Sequence, residues 1–206
     1  MKRKKSLTKQ SKTRGLTSHV GEIIIYGFVI LLLSAGTYCR NGIWNSEEEL
    51  WIDCLKKSPN KQRPHNNLGQ LFLDQGRYQE AIAQFTEALR IDPNCLEPHN
   101  YLGNILVRQG KYQEAVDHFI EAIRIDPNHP AVHSNLGNAL VGQGRYQEAI
   151  AQFTEALRIN PNYAPTHYNL GSAYLKMGDR DSAFKEYKIL KTMNPDMASA
   201  LYKKIR

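Results

Sequence analysis

Apolar side chains recur along this chain at intervals of three and four, first at Leu68, Leu71 and Phe72, then at Ala81, Ile82, Phe85, Ala88 and Leu89. That spacing places each set on one face of a helix. Between the sets stands Gly76, which permits a tight turn; after them comes Asp92-Pro93-Asn94, where proline disfavours helix in the residue before it. The pattern therefore predicts two short helices joined by a turn and closed by a loop. The unit then returns every 34 residues, with Leu68-Gly69 repeated at Leu102-Gly103, Leu136-Gly137 and Leu170-Gly171. Ala81, Ala115, Ala149 and Ala183 keep the same interval, as do Pro93, Pro127, Pro161 and Pro195, while Phe85, Phe119 and Phe153 continue to Tyr187. The stretch 75–91 reappears letter for letter at 143–159.

A 34-residue period with His65-x-x-Leu68-Gly69-x-x-Phe72, Ala81-x-x-x-Phe85 and Pro93 resembles the tetratricopeptide (TPR) repeat over residues 62–197. The resemblance implies an all-α fold, a TPR superhelix or α-solenoid with a concave groove. Each helix pair buries its apolar face only against the next, so stability accumulates along the array. The expected organisation is a basic tail at 1–20, a transmembrane helix at 21–40, a half repeat retaining only its second helix at 41–61, and full repeats at 62–95, 96–129, 130–163 and 164–197. A capping helix is expected at 198–206, with Leu201 and Ile205 turned inward.

The membrane expectation rests on residues 23–39, IIIYGFVILLLSAGTYC, which carry no charge. Nine of the seventeen are Ile, Leu, Val or Phe, which favours insertion by about 3–5 kcal/mol. Lys2, Arg3, Lys4, Lys5, Lys9, Lys12 and Arg14 precede the segment with no acid before Glu22. The positive-inside rule then predicts a single-pass membrane protein with its N-terminus cytoplasmic and its repeats extracytoplasmic, periplasmic in a bacterium. A cleaved signal peptide, with Ser34, Ala35 and Gly36 at the cleavage site, is the rival reading.

The tail also accounts for the formal net charge of +7; beyond residue 20 basic and acidic side chains cancel. A nucleic-acid surface is accordingly not expected. Cys39, Cys54 and Cys95 form no Cys-x-x-Cys pair, and His129 and His133 are separated by Pro130 at a helix start, so neither a disulfide framework nor a metal site is expected. No G-x-G-x-x-G, G-x-x-x-x-G-K or H-E-x-x-H occurs. The chain reads as a non-enzyme, without cofactor or evident small-molecule substrate.

The second helices of repeats one and three are nearly identical while their first helices differ, so specificity is expected on the first helices. There Asn67, Asn135 and Asn169 precede the Leu-Gly pair, Tyr101 stands in the equivalent place of repeat two, and Gln70, Asn104, Asn138 and Ser172 lie two residues after the Leu. A row of amides offers donors and acceptors to an extended peptide backbone with little regard for its sequence. The arrangement is similar to the asparagine ladder in the TPR superhelix of O-linked N-acetylglucosamine transferases, a similarity that covers Asn67, Asn135 and Asn169 and is broken by Tyr101. The bland alternative is a solvated helix face. His65, His99, His133 and His167 stand where the TPR pattern has Trp and are expected to pack between helices, with a pH sensor as the second reading. Trp44 and Trp51 align with core positions.

These residues predict a membrane-anchored scaffold that binds a protein or extended peptide in its groove. The stretch 40–69 also resembles the membrane-to-repeat junction of bacterial relatives of transmembrane and TPR-containing O-mannosyltransferases. That resemblance implies an alternative role as an accessory or detached module of a membrane O-glycosyltransferase system, without activity of its own.

Overall fold

The computed structural model describes residues 46–206, all of whose regular secondary structure is helical. Ten helices follow in order: α1 (Glu47–Lys57), α2 (Gln62–Asp74), α3 (Tyr78–Ile91), α4 (Leu96–Arg108), α5 (Tyr112–Ile125), α6 (Pro130–Gly142), α7 (Tyr146–Ile159), α8 (Ala164–Lys176), α9 (Arg180–Met193) and α10 (Pro195–Ile205). Residues 51–206 make one compact unit.

The expected placement of the chain in a membrane needs correcting. Among the described residues no helix is long and apolar enough to cross a membrane. The segment 21–40 that carried the expectation lies outside the described residues, as do the basic tail at 1–20 and Trp44.

Within each pair the turn is a left-handed glycine cap. Gly76 has φ +74°, and the Arg77 N–H reaches back to the Phe72 carbonyl at 2.8 Å, the six-to-one bond that closes a helix C-terminus. Gly110, Gly144 and Gly178 repeat the conformation. At the far end, α3 stops at Ile91, and the Asp92 carboxylate accepts the Asn94 N–H at 3.0 Å, forming the loop to the next pair.

Close approach within a pair depends on glycine opposite phenylalanine. A methyl group on Gly69, Gly103 or Gly137 would lie 2.7, 2.6 or 2.5 Å from the ring of Phe85, Phe119 or Phe153, and all three rings are fully buried. The fourth pair departs from this rule. Tyr187 replaces the phenylalanine, and the space over Gly171 is filled by Leu201 of α10, whose Cδ2 would be 2.6 Å from an added Cβ. That helix begins at Pro195 because the Asn194 side chain accepts the Met197 N–H at 3.1 Å and proline suits the first helical position. Leu201, Ala198 and Ile205 join Ala183 and Leu190 in the terminal core.

The remaining core is continuous across pairs. Leu68, Phe72 and Phe85 meet Leu102 and Ile105 of the next pair, with Trp51, Ile52 and Leu55 of α1 laid against the same cluster. A second cluster runs from Leu106 in α4 to Ala173 in α8. Among the described helices, the first helices of successive pairs (α2, α4, α6, α8) touch one another, whereas their second helices do not. The first helices therefore line the inner, shorter side of the stack.

Candidate functional site: an amide-lined inner face

All eight expected residues lie on first helices. Asn67 and Gln70 are on α2, Tyr101 and Asn104 on α4, Asn135 and Asn138 on α6, and Asn169 and Ser172 on α8. Gln70 is exposed and the other seven are half-buried. Two of the asparagines bridge to the preceding repeat. The Asn135 Nδ2 donates to Asn100 Oδ1 at 2.9 Å, and the Asn169 Nδ2 donates to Asn138 Oδ1 at 2.9 Å. Each bridge uses one N–H and one lone pair, so each asparagine keeps further donor and acceptor capacity. The bridges also fix side-chain orientation, which lowers the entropy a ligand must remove.

At the first junction the pattern breaks. Asn66 is the 34-residue counterpart of Asn100, but Tyr101 stands where Asn135 would supply the donor. Among the described residues the buried Asn66 Oδ1 accepts from no group, while the Tyr101 ring stacks on Phe85, with centroids 5.1 Å apart and planes at 20°. Burial, followed by the nearby Asp74 and Glu97 carboxylates, raises the Tyr101 phenol above its usual range, so the hydroxyl stays protonated. At the other end, Ser172 Oγ accepts from Lys204 Nζ at 3.4 Å, and that ammonium lies over the Tyr168 ring at 4.6 Å. The bridging partner Asn100 was not singled out by sequence reasoning; its only signal is its place directly before Tyr101, one period before Ser134.

Charge is concentrated elsewhere. Arg90 and Arg158 pair with Glu87 and Glu155 three residues before them, each at 2.7 Å, and Arg124 pairs with Glu121 at 2.8 Å, all on exposed faces of second helices. These guanidiniums hold the three carboxylates below their usual range. Cys95 donates its thiol to Glu97 at 3.1 Å; burial, then that carboxylate, pushes its pKa up to about 12, which makes it a poor nucleophile.

The histidine column forms a repeated clamp rather than a groove feature. Nε2 of His65, His133 and His167 meets the carbonyl of Pro59, Pro127 and Pro161 at 3.1, 2.9 and 2.8 Å. Nδ1 of the same residues meets Gln84, Gln152 and Glu186 on the paired second helix at 2.8, 2.8 and 2.6 Å. His99 is the exception: its Nε2 meets the Pro93 carbonyl at 3.2 Å, but its Nδ1 faces the Nδ1 of His118 at 3.0 Å. Because the Pro93 carbonyl requires a hydrogen on His99 Nε2, the His99 Nδ1 is the acceptor and His118 the donor in the neutral pair. His129 serves as a helix cap, accepting the Val132 N–H at 3.4 Å.

A stack of helix hairpins with an inner face of amides defines a class: helical-repeat solenoids that present a groove. The chain belongs to the tetratricopeptide repeat family. The TPR repeat pattern matches at residues 69–110, 103–144 and 137–178, more than half of the chain, and a further tetratricopeptide repeat matches at 164–197. Among solved structures, MamA from Desulfovibrio magneticus RS-1, from its position 41 to its end, is 19% identical with a TM-score of 0.67, covering 72% of this chain and 84% of that one. TTC0263, a thermophilic TPR protein of Thermus thermophilus, is 26% identical with a TM-score of 0.60, covering 69% and 80%. A chain of the APC/C hetero-tetramer Cut9-Hcn1 is 21% identical with a TM-score of 0.69, covering 75% of this chain and 32% of that one. Matches below a quarter identity establish the fold alone. No curated protein matches the sequence. The O-mannosyltransferase resemblance of residues 40–69 is not carried by these matches.

Proposed function

We propose that this chain is a protein-interaction scaffold that holds an extended polypeptide segment of a partner along the inner face of α2, α4, α6 and α8. The observation that carries the reading is the pair of inter-repeat amide bonds, Asn135 to Asn100 and Asn169 to Asn138. They preset a row of side chains whose remaining N–H and C=O groups match the donors and acceptors of a peptide backbone. The neutrality of the row argues for backbone recognition over capture of a charged tail. A photo-crosslinking amino acid at Gln70 or Ser172 should trap polypeptide in cell extract. The same group at the exposed Thr154 of α7 should not. Asn135→Ala with Asn169→Ala should reduce the trapped product at least threefold while the helical circular dichroism stays unchanged. Equal trapping from both faces would remove the groove from the argument.

A further inference from the structure

The inner face is not uniform: it contains an open pocket at the junction of the first and second repeats, and its opening has a local cause. The pocket, about 520 Å³, is walled by Leu73, Tyr78, Tyr101 and Val107, with Asp74, Asn104 and Arg108 also lining it. At the next junction the counterpart of Tyr78 is Tyr112, and the counterpart of Arg108 is Gly142. Tyr112 settles onto that glycine so closely that a Cβ there would lie 2.3 Å from the ring. Arg108 denies Tyr78 the same seat. Tyr78 remains 38% exposed, and the space that Tyr112 fills one repeat later stays open.

We propose that this pocket is the anchor subsite of the groove and takes one aromatic side chain of the extended polypeptide held by the amides. The proposal rests on the function proposed above and narrows the partner. Two tyrosine rings, Tyr78 and Tyr101, offer faces and edges to a third ring, and Leu73 and Val107 supply apolar wall. The ring of Tyr101 is held in place by its stack on Phe85, so the site is preformed. Asp74 and Arg108 carry opposite charges in the same pocket, so a charged ligand side chain of either sign meets a like charge along with its attraction. An aromatic ring can pack against both tyrosine rings, which an aliphatic side chain cannot match, and Asn104 lies alongside to hold the neighbouring backbone.

The test is a ¹H–¹⁵N NMR titration of the full chain with two peptides, acetyl-Gly-Ser-Gly-Trp-Gly-Ser-Gly-amide and its Trp-to-Ala counterpart. The tryptophan peptide should bind at least fivefold more tightly and shift the amide signals of Tyr78, Tyr101 and Val107. Arg108→Gly recreates the local sequence of the closed junction, so Tyr78 can settle and the fivefold preference should vanish. Gly142→Arg, the reverse exchange, displaces Tyr112 and should add a second set of shifts around Tyr112 and Val141. Equal binding of both peptides, with shifts confined to Asn135, Asn138 and Asn169, would overturn the aromatic subsite and leave the groove reading standing. Shifts only on second-helix outer faces, or none at all, would overturn both.

Discussion

Gly137 and Gly171 occupy the same repeat position but face different neighbours, and the difference decides what a methyl group costs at each. At Gly137 the added carbon would lie 2.5 Å from the Phe153 ring, which is fully buried and has nowhere to move. Overpacking of that kind costs about 1–3 kcal/mol, against which the better helix propensity of alanine returns about 1 kcal/mol. At Gly171 the nearest atom is a terminal methyl of Leu201, on a helix packed against one end of the stack. Leu201 is as fully buried as Phe153, but the contact is made by the far end of a flexible aliphatic side chain, which yields more readily than a ring, so more of the propensity gain is kept. Urea unfolding should therefore place Gly137→Ala below Gly171→Ala in stability by at least about 1 kcal/mol. Equal midpoints would show that the phenylalanine seats yield more readily than their burial indicates.

Helix pairs differ more than their shared repeat suggests, because the partner of each clamp histidine differs. His167 has two acceptors, the Pro161 carbonyl at 2.8 Å and a Glu186 carboxylate oxygen at 2.6 Å, so both its nitrogens are best filled by hydrogens. The bond to Glu186 raises its pKa above the ordinary 6.5, against the opposing effect of burial. A raised folded-state value stabilises the fourth pair below pH 6.5, and that contribution disappears as pH climbs through the raised value. His118 behaves oppositely. Burial, then His99, lowers its pKa below 6.5, against the weaker pull of Asp117 and Glu114. Its contribution is present above pH 6.5 and is lost as pH falls through the lowered value. Hydrogen exchange, corrected for intrinsic rates, should show protection falling in α4 and α5 and rising in α8 and α9 between pH 8 and pH 5. His118→Gln, which copies Gln84 and Gln152, should abolish the first change, and Glu186→Gln the second. If both pairs moved in the same direction with pH, the clamps would not be setting local stability.

Along the whole array, the helices were legible because apolar period, turn glycine and loop proline all mark the same boundaries. The loop at Asp92-Pro93 and the cap at Gly76 needed no three-dimensional information. The tenth helix begins at Pro195, three residues ahead of the expected 198, because the Asn194 side chain caps it, whereas the carboxylate of Asp92, its counterpart three repeats earlier, closes a loop turn instead. The groove residues were legible as a column, but not their couplings. Which amide reaches the previous repeat, which histidine meets a second histidine, and which tyrosine finds a glycine to sit on all depend on distances between repeats, which a single-repeat pattern does not encode.

Those inter-repeat contacts are also what joins local units into one molecule, and the terminal helix shows how. Leu201 of α10 is fully buried and fills the seat over Gly171 that a phenylalanine fills in the three earlier pairs. Truncating a fully buried leucine costs about 2–5 kcal/mol. In a linear array each pair is stabilised only by its own fold and its immediate neighbours. The loss from Leu201→Ala should therefore fall on α8 and α9 and fade before α4. The Leu68, Phe85 and Leu102 core of the first two pairs, which shares no residue with α8 or α9, should keep its protection at low denaturant. Hydrogen exchange resolved by helix distinguishes this from a single all-or-none transition, in which every helix from α2 to α9 would lose protection by the same free energy. The gradient follows from the contact pattern, since among the described helices α10 meets α8 and α9 alone.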